Sequence, residues 1–241
     1  MNTSIAELEL ETHGEKTAQT VSAEASMPIA KVKPLRRDTQ ITRAKILDAA
    51  EELFAKNSIT GTSLLDIAKA SEQKNRSALQ YHFNNKEGLL DSVLDRHAYP
   101  ILDQRNAMLD ELEARDHYTL KDLMLALIVP MADHLDQPGG ANFLRIHSDL
   151  MSHEHFKDFR EVRYNKLNDM QRLRSMGTTK ISEMSEEEKQ ARRILTGCLL
   201  IHGFSTYLAT APQPSRDLFT STMAQSLADL WSQPANGTDN L

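Results

Sequence analysis

The stretch NRSALQYHFNNKEGLL, Asn75 to Leu90, decides how this chain is read. It gathers amides, an arginine, a Tyr-His pair and a lysine, all groups that hydrogen-bond to phosphate oxygens or base edges. Ala78, Leu79, Phe83, Leu89 and Leu90 recur through it at the spacing of a buried helical face. A segment held on one side and polar on the other is suited to lying in a groove. Arg76 to Phe83 is therefore expected to be a short reading helix, with NNKEGLL opening a further helix capped by Asn84 or Asn85.

The residues upstream supply the anchor. From Thr39 to Asn57 the pattern is helical, with Ile46, Leu47, Ala50, Leu53 and Phe54 on one face. NSITGTS interrupts it, and Thr62 or Ser63 can cap a short second helix with Leu64, Ile67 and Ala68 turned inward. SEQKN is a turn. Two short helices joined by a tight turn and packed on an amphipathic helix make a helix-turn-helix unit, whose second helix enters the major groove of DNA.

Charge is distributed in keeping with this. The net charge is −6, but residues 31–90 carry eleven Lys/Arg against seven acids, while residues 1–30 and 91–241 are both acidic. Local field matters more to phosphate affinity than overall balance. Lys31, Lys33, Arg36 and Arg37 form a basic arm before the unit, readable as a solvated linker or as an arm along DNA.

Downstream the fold class is all-α, a string of longer helices. The fourth helix is expected to run towards Pro100, where a break follows, with others over Ile101–Arg115, Leu120–Leu135 (kinked at Pro130), Ala141–Met151 and Phe156–Ser175. SEEE, from Ser185, is a capping box opening a helix to Ala209, and Ser215 caps a last one ending near Trp231. No apolar run approaches the roughly 20 residues of a membrane span. The N-terminus lacks the features of a signal peptide. The single cysteine, Cys198, leaves no intramolecular disulfide and fits a reducing cytoplasm.

ITRAKILDAAEELFAKNSITGTSLLDIAKAS and SALQYHFNNKEGLL together resemble the DNA-binding domain of the TetR/AcrR family of transcriptional regulators, over Ile41 to Val93. The anchors are Arg43, Ile46-Leu47, Ala49-Ala50, Leu53-Phe54, Thr62-Ser63, Ile67-Ala68, Ala78-Leu79, Tyr81-His82-Phe83, Lys86-Glu87 and Leu89. The resemblance implies DNA contacts from Arg43, Thr62, Ser63, Lys74, Asn75, Arg76, Ser77, Gln80, Tyr81, His82 and Lys86. Thr62 and Ser63 would donate hydroxyl or backbone N–H to phosphate, Arg76 would pair with guanine, and Asn75 or Gln80 with adenine. Tyr81, His82 and Lys86 would hold phosphates. Ser58 and Glu72 stand where the family usually carries turn glycines, so strained backbone is expected at Asn57 or Ser58. Glu72 sets a negative charge near phosphates.

The organisation expected is a disordered leader with a basic end over 1–36, the helix-turn-helix domain over 37–92, a helical ligand-binding and dimerisation domain over 93–233, and a frayed tail over 234–241. Ala191 to Ala211 is apolar almost all round, which suggests an interface with a second copy, shared with Phe219, Met223, Leu227, Leu230 and Trp231. Met124, Met131 and Met170 are the ligand-pocket candidates. His202 sits among apolar neighbours, as a core histidine or at a pocket edge. His147, His153 and His155 fit a solvated helix end better than a metal site, and no cofactor is expected. No phosphate loop or nucleophile elbow points to an enzyme. The expectation is a cytoplasmic homodimeric regulator, most simply a repressor, that binds a palindromic operator in double-stranded DNA. A small, apolar, unidentified effector would release it. The alternatives are a DNA-binding regulator without small-molecule input or acting as an activator, and a metal-binding helical enzyme.

Overall fold

The computed structural model describes residues 37–73, 76–166, 168–178, 180–181 and 184–234, the side chains of 76, 164–166, 168 and 169 excepted. The expected leader with Lys31, Lys33 and Arg36, the expected turn residues Lys74 and Asn75, and the expected tail from 235 lie outside these. The described residues are helical, with no strand among them: α1 Arg37–Asn57, α2 Leu64–Ala70, α3 Arg76–Phe83, α4 Lys86–Glu113, α5 Leu120–His134, α6 Gly140–Ser152, α7 Lys157–Lys166, α8 Asn168–Thr178, α9 Glu186–Ala209 and α10 Arg216–Ser232. A single 3-10 turn, Glu154–Phe156, precedes α7.

Helix starts follow the capping residues. Ser63, Thr119 and Ser185 each close a capping box with Asp66, Asp122 and Glu188. Asn85 Oδ1 accepts from the Gly88 N–H at 2.7 Å, and Ser215 caps α10. Each cap satisfies an otherwise orphaned N–H and contributes about 1 kcal/mol.

The N-terminal head packs around Ile46, Leu47, Ala50 and Phe54 of α1, Ile67 and Ala68 of α2, Leu79 and Phe83 of α3, and Leu89, Leu90 and Val93 of α4, all buried. In the body, α5 lies between α4 and α10. Cations lock the outer helices: buried Arg163 of α7 bonds Asp91 and, at 2.7 Å, Asp95 of α4. Arg172 of α8 bonds Asp110 at 2.6 Å. Buried Arg192 of α9 donates to the carbonyls of Leu230 (2.7 Å) and Gln233 (2.9 Å), where the dipole of α10 ends in partial negative charge.

Two expectations are corrected. Pro100 does not break the fourth helix, since α4 runs unbroken for 28 residues, about 42 Å at the α-helical rise. A proline gives up one backbone hydrogen bond. Here Leu94 and Ala98 before it, and Ile101 and Leu109 after it, are all buried and hold both halves in line. The second correction concerns α10: Met223 and Leu227 are buried within the chain itself, with Phe219, Leu230 and Trp231 packed against the same core. Their apolar face is taken up by α5 and α9. The large apolar side chains left exposed there are Ile194, Leu195, Leu199 and Leu208 of α9 and Leu218 of α10.

Head and body meet along α1. Arg96 of α4 bonds Asp48 at 2.7 Å, and the Ile59 N–H donates to Asp149 of α6 at 2.7 Å. Deeper in, buried Glu51 of α1 accepts from His97 of α4 (2.9 Å), whose other ring nitrogen meets His134 of α5 at 2.8 Å. Phe143 of α6 packs on both imidazoles.

Burial pushes His134 below the usual imidazole range, its neighbour His97 adding to the effect and Glu51 opposing it. Burial, then the charge of Arg163, pushes His147 down to about 4. Both rings are harder to protonate folded than unfolded, so the stability they contribute is complete above the unfolded value near 6.5. It is lost as pH falls from there towards about 4. Urea unfolding at pH 7.0, 5.5 and 4.5 should show a progressive loss of about 1–3 kcal/mol across this window. A flat profile down to pH 4.5 would contradict the burial of these rings.

Candidate nucleic-acid interface

The reading helix is two-faced. Leu79 and Phe83, one turn apart on α3, are buried in the head, while Ser77, Gln80 and Tyr81 are exposed at i, i+3 and i+4 on the opposite face. Tyr81 is the extreme case, a large aromatic residue 76% exposed. Its ring meets that of His82 edge-on, with centroids 5.1 Å apart. Burial, and then the nearby Arg43 guanidinium, hold the half-buried His82 below its usual range. At neutral pH this imidazole offers a hydrogen bond rather than a charge.

The turns around α2 and α3 place residues other than glycine in the left-handed region: Ser58 (φ 70°), Glu72 (φ 58°) and Asn84 (φ 66°). Each costs about 1–2 kcal/mol relative to glycine unless local bonds offset it. Ser58 has such bonds, its Oγ accepting from the Gly61 N–H at 3.0 Å. Gly61 is required by close approach, because a Cβ there would sit 2.3 Å from the Asn57 carbonyl oxygen. Glu72 is held by an ion pair with Lys45 of α1 at 3.1 Å. That pairing neutralises the negative charge expected to face phosphates, and nothing local in the sequence signals it.

Among the other expected contacts, the side chains divide. Thr62 is 2% exposed and its hydroxyl donates to the carbonyls of Leu53 (3.1 Å) and Ser58 (2.8 Å). The hydroxyl donation to phosphate expected of Thr62 is therefore corrected: the group closes the α1–α2 turn. Ser63 is exposed, but its hydroxyl and N–H both engage Asp66. Arg43 is drawn inward, its guanidinium 4.9 Å over the Phe83 ring and bonded to Ser92 at 3.2 Å, so it braces α1 against α3 and α4.

Lys86, at the first turn of α4, is half-buried. It lines a cleft of about 320 Å³ with Ile59, Thr60, Glu87, Leu90, His155 and Phe156. Burial lowers its pKa, and Asp149 pulls the other way. Arg76 begins α3, and Lys74 and Asn75 lie outside the described residues.

In the body, Met124 and Met131 are buried in the core, and Met170 is partly buried with its sulfur 3.8 Å from Arg105 Nη1. None of the three lines the 320 Å³ cleft. They are also absent from the groove of about 530 Å³ formed along α9 and α10 by Cys198, Leu199, His202, Gly203, Thr206, Tyr207, Thr210, Pro214 and Phe219. His202 is exposed there, at a groove edge and not in a core. The His147 ring packs on Phe143, whereas His153 and His155 lie against Phe156. Among the described residues no three His, Cys, Asp or Glu side chains are grouped to hold a metal ion. No described helix is long and apolar enough to cross a membrane.

Residues 46–93 match the family described as bacterial regulatory proteins, tetR family. Over 64 residues, 27% of the chain, it is 41% identical to the HTH-type transcriptional regulator TtgR of Pseudomonas putida, of whose length that match spans 30%. The fold as a whole resembles two crystal structures. One is NalD of Pseudomonas aeruginosa, the secondary repressor of the MexAB-OprM multidrug efflux pump (22% identity, TM-score 0.55, 81% of this chain and 98% of that one). The other is FadR of Bacillus subtilis in complex with stearoyl-CoA (17% identity, TM-score 0.57, 77% and 97%). At these identities the likeness is one of fold. The helix-turn-helix match, the buried head core and the exposed face of α3 agree with one another: residues 46–93 form a helix-turn-helix domain similar to that of the tetR family of bacterial regulatory proteins.

Proposed function

We propose that the chain is a cytoplasmic, homodimeric transcriptional regulator without catalytic activity, most simply a repressor. In this reading it binds a near-palindromic operator and leaves it when a small apolar molecule enters the body. The observation that carries the reading is the exposed row Ser77, Gln80 and Tyr81 on a helix clamped from behind by Leu79 and Phe83. Exposed polar groups on a rigid, convex helix suit base edges and phosphates. The domain limits that go with it are a head over 37–92 and a body over 93–233.

A second copy is supported by Ile194, Leu195, Leu199 and Leu208, large apolar side chains that α9 leaves in solvent beside the 530 Å³ groove. An effector in the body is supported by the fold shared with FadR, which holds an acyl-CoA. Met124, Met131 and Met170 are the side chains proposed to adjust around an apolar guest. Lys74, Asn75, Arg76, Ser77 and Gln80 are the proposed contacts from the start of the reading helix, with Ser63, Tyr81, His82 and Lys86 at the phosphates and Arg43 as their brace.

Titration of fluorescent duplexes by reading-helix variants tests the assignment. Gln80→Ala and Arg76→Ala should each cost about 1–3 kcal/mol on the cognate duplex and relax preference at one base pair per half-site. Tyr81→Phe should weaken every sequence alike, by about 1 kcal/mol for one lost hydroxyl contact. Equal losses by Arg76→Ala on cognate and random DNA would remove it from base reading. If effector and operator exclude one another, operator must weaken effector binding by the same factor that effector weakens operator.

A further inference from the structure

Reading DNA leaves Glu51 unexplained. It lies on the inward face of α1, flanked by Leu47, Ala50 and Phe54, where an ionised carboxylate is tolerated only if paired. Its partners are not on α3. They form a line from α1 through His97 of α4 to His134 of α5, with successive contacts of 2.9 and 2.8 Å. All three residues are buried. The backbone is shaped to admit them: Gly139 has φ 81°, and a Cβ there would lie 2.1 Å from Glu51 Oε1. His134 stands at the last residue of α5, the helix that packs along α4 and α10.

We propose that Glu51, His97 and His134 are positioning residues that set the angle of the head on the body, so that a shift of α5 changes the spacing of the two reading helices in the dimer. This rests on the dimeric, DNA-binding reading above. With Glu51 ionised, His97 donates its Nε2–H to the carboxylate, and its Nδ1 accepts the Nε2–H of His134. At 2.8 Å there is room for one hydrogen between the rings. The line therefore needs one of the two facing nitrogens to accept, and it breaks if each carries a hydrogen. The other charged groups around it are Asp48 on α1 and Arg96 on α4, which reaches Glu51 at 3.3 Å. His147 on α6 lies behind Phe143.

The test uses the full chain and two duplexes: a dyad site selected from a random pool, and the same duplex with one half-site scrambled. Two linked heads gain about 10²–10⁴-fold over one, so the ratio of the two affinities reads head spacing. At pH 8, His134→Phe, which keeps the ring volume, should lower this ratio by about tenfold with half-site affinity changed by less than about twofold. Glu51→Ala should do the same. Glu51→Gln, whose amide oxygen still accepts from His97, should restore the ratio.

An unchanged ratio in both His134→Phe and Glu51→Ala overturns the proposal. So does a parallel loss on both duplexes, which would mean that these residues only keep the head folded. If the unsubstituted protein does not prefer the dyad duplex, the dimeric reading is what has failed. The line is then judged by amide hydrogen exchange over residues 46–57, where faster exchange in His134→Phe supports it and unchanged exchange overturns it.

Discussion

Phe54→Ala should lower the unfolding free energy by about 3–5 kcal/mol, the range for removing a fully buried aromatic ring. Phe54 is 1% exposed, at the centre of the head, within a core shared by all three head helices and the start of α4. A domain of this kind has roughly 5–15 kcal/mol to lose, so the substitution removes a large share of its stability and lowers the folded fraction available to bind DNA. The only tryptophan, Trp231, sits far along the chain in α10, where its Nε1–H donates to Thr196. Its fluorescence therefore reports the body. Because α4 runs unbroken from head to body, urea transitions followed by circular dichroism and by Trp231 should shift together. A circular-dichroism shift with unchanged fluorescence would show that head and body unfold as separate units.

Gly139→Ala should cost about 2–4 kcal/mol. Alanine at φ 81° is strained by itself, and its methyl group would meet Glu51 Oε1 at 2.1 Å and His97 Cε1 at 2.9 Å. Neither neighbour can yield without breaking the buried line to His134. Gly177→Ala is the matched control. It lies in the last turns of α8, where an added Cβ would make only ordinary contact, 3.9 Å from Leu123. There alanine should be neutral or stabilise by up to about 1 kcal/mol through helix propensity and reduced unfolded-state entropy. Equal effects at the two positions would mean that Gly139 is not packed against Glu51 as described.

The helix-turn-helix was legible because local signals coincide there. The capping residues at Ser63 and Asn85 and the apolar spacing of α1 and α3 point to the same element, although Ser58 and Glu72 are polar where glycine is usual. The helices SEEE opens and Ser215 caps were legible for the same reason. Pro100 misled because a proline's local cost is visible in sequence, whereas the burial on both sides that outweighs it is tertiary. The inward turn of Thr62 is likewise set by carbonyls that only the folded α1–α2 connection brings near.

Glu51 left a signal that could have been used: an acid at i+4 from Leu47 and i−3 from Phe54 interrupts a buried face. Its partners, 46 residues away at His97 and beyond at His134, have no local trace. The row Met223, Leu227 and Leu230 showed that α10 has one apolar face, but not that α5 would cover it.

Whether α3 reads DNA in a two-fold dimer is decided by selecting duplexes from a random pool with the 241-residue chain and sequencing what it retains. The expected result is an inverted repeat with half-site centres about 34–36 Å apart, or a multiple of that, bound with an affinity that falls steeply with salt. Retention of no sequence above chance, or of a site without dyad symmetry, would contradict it.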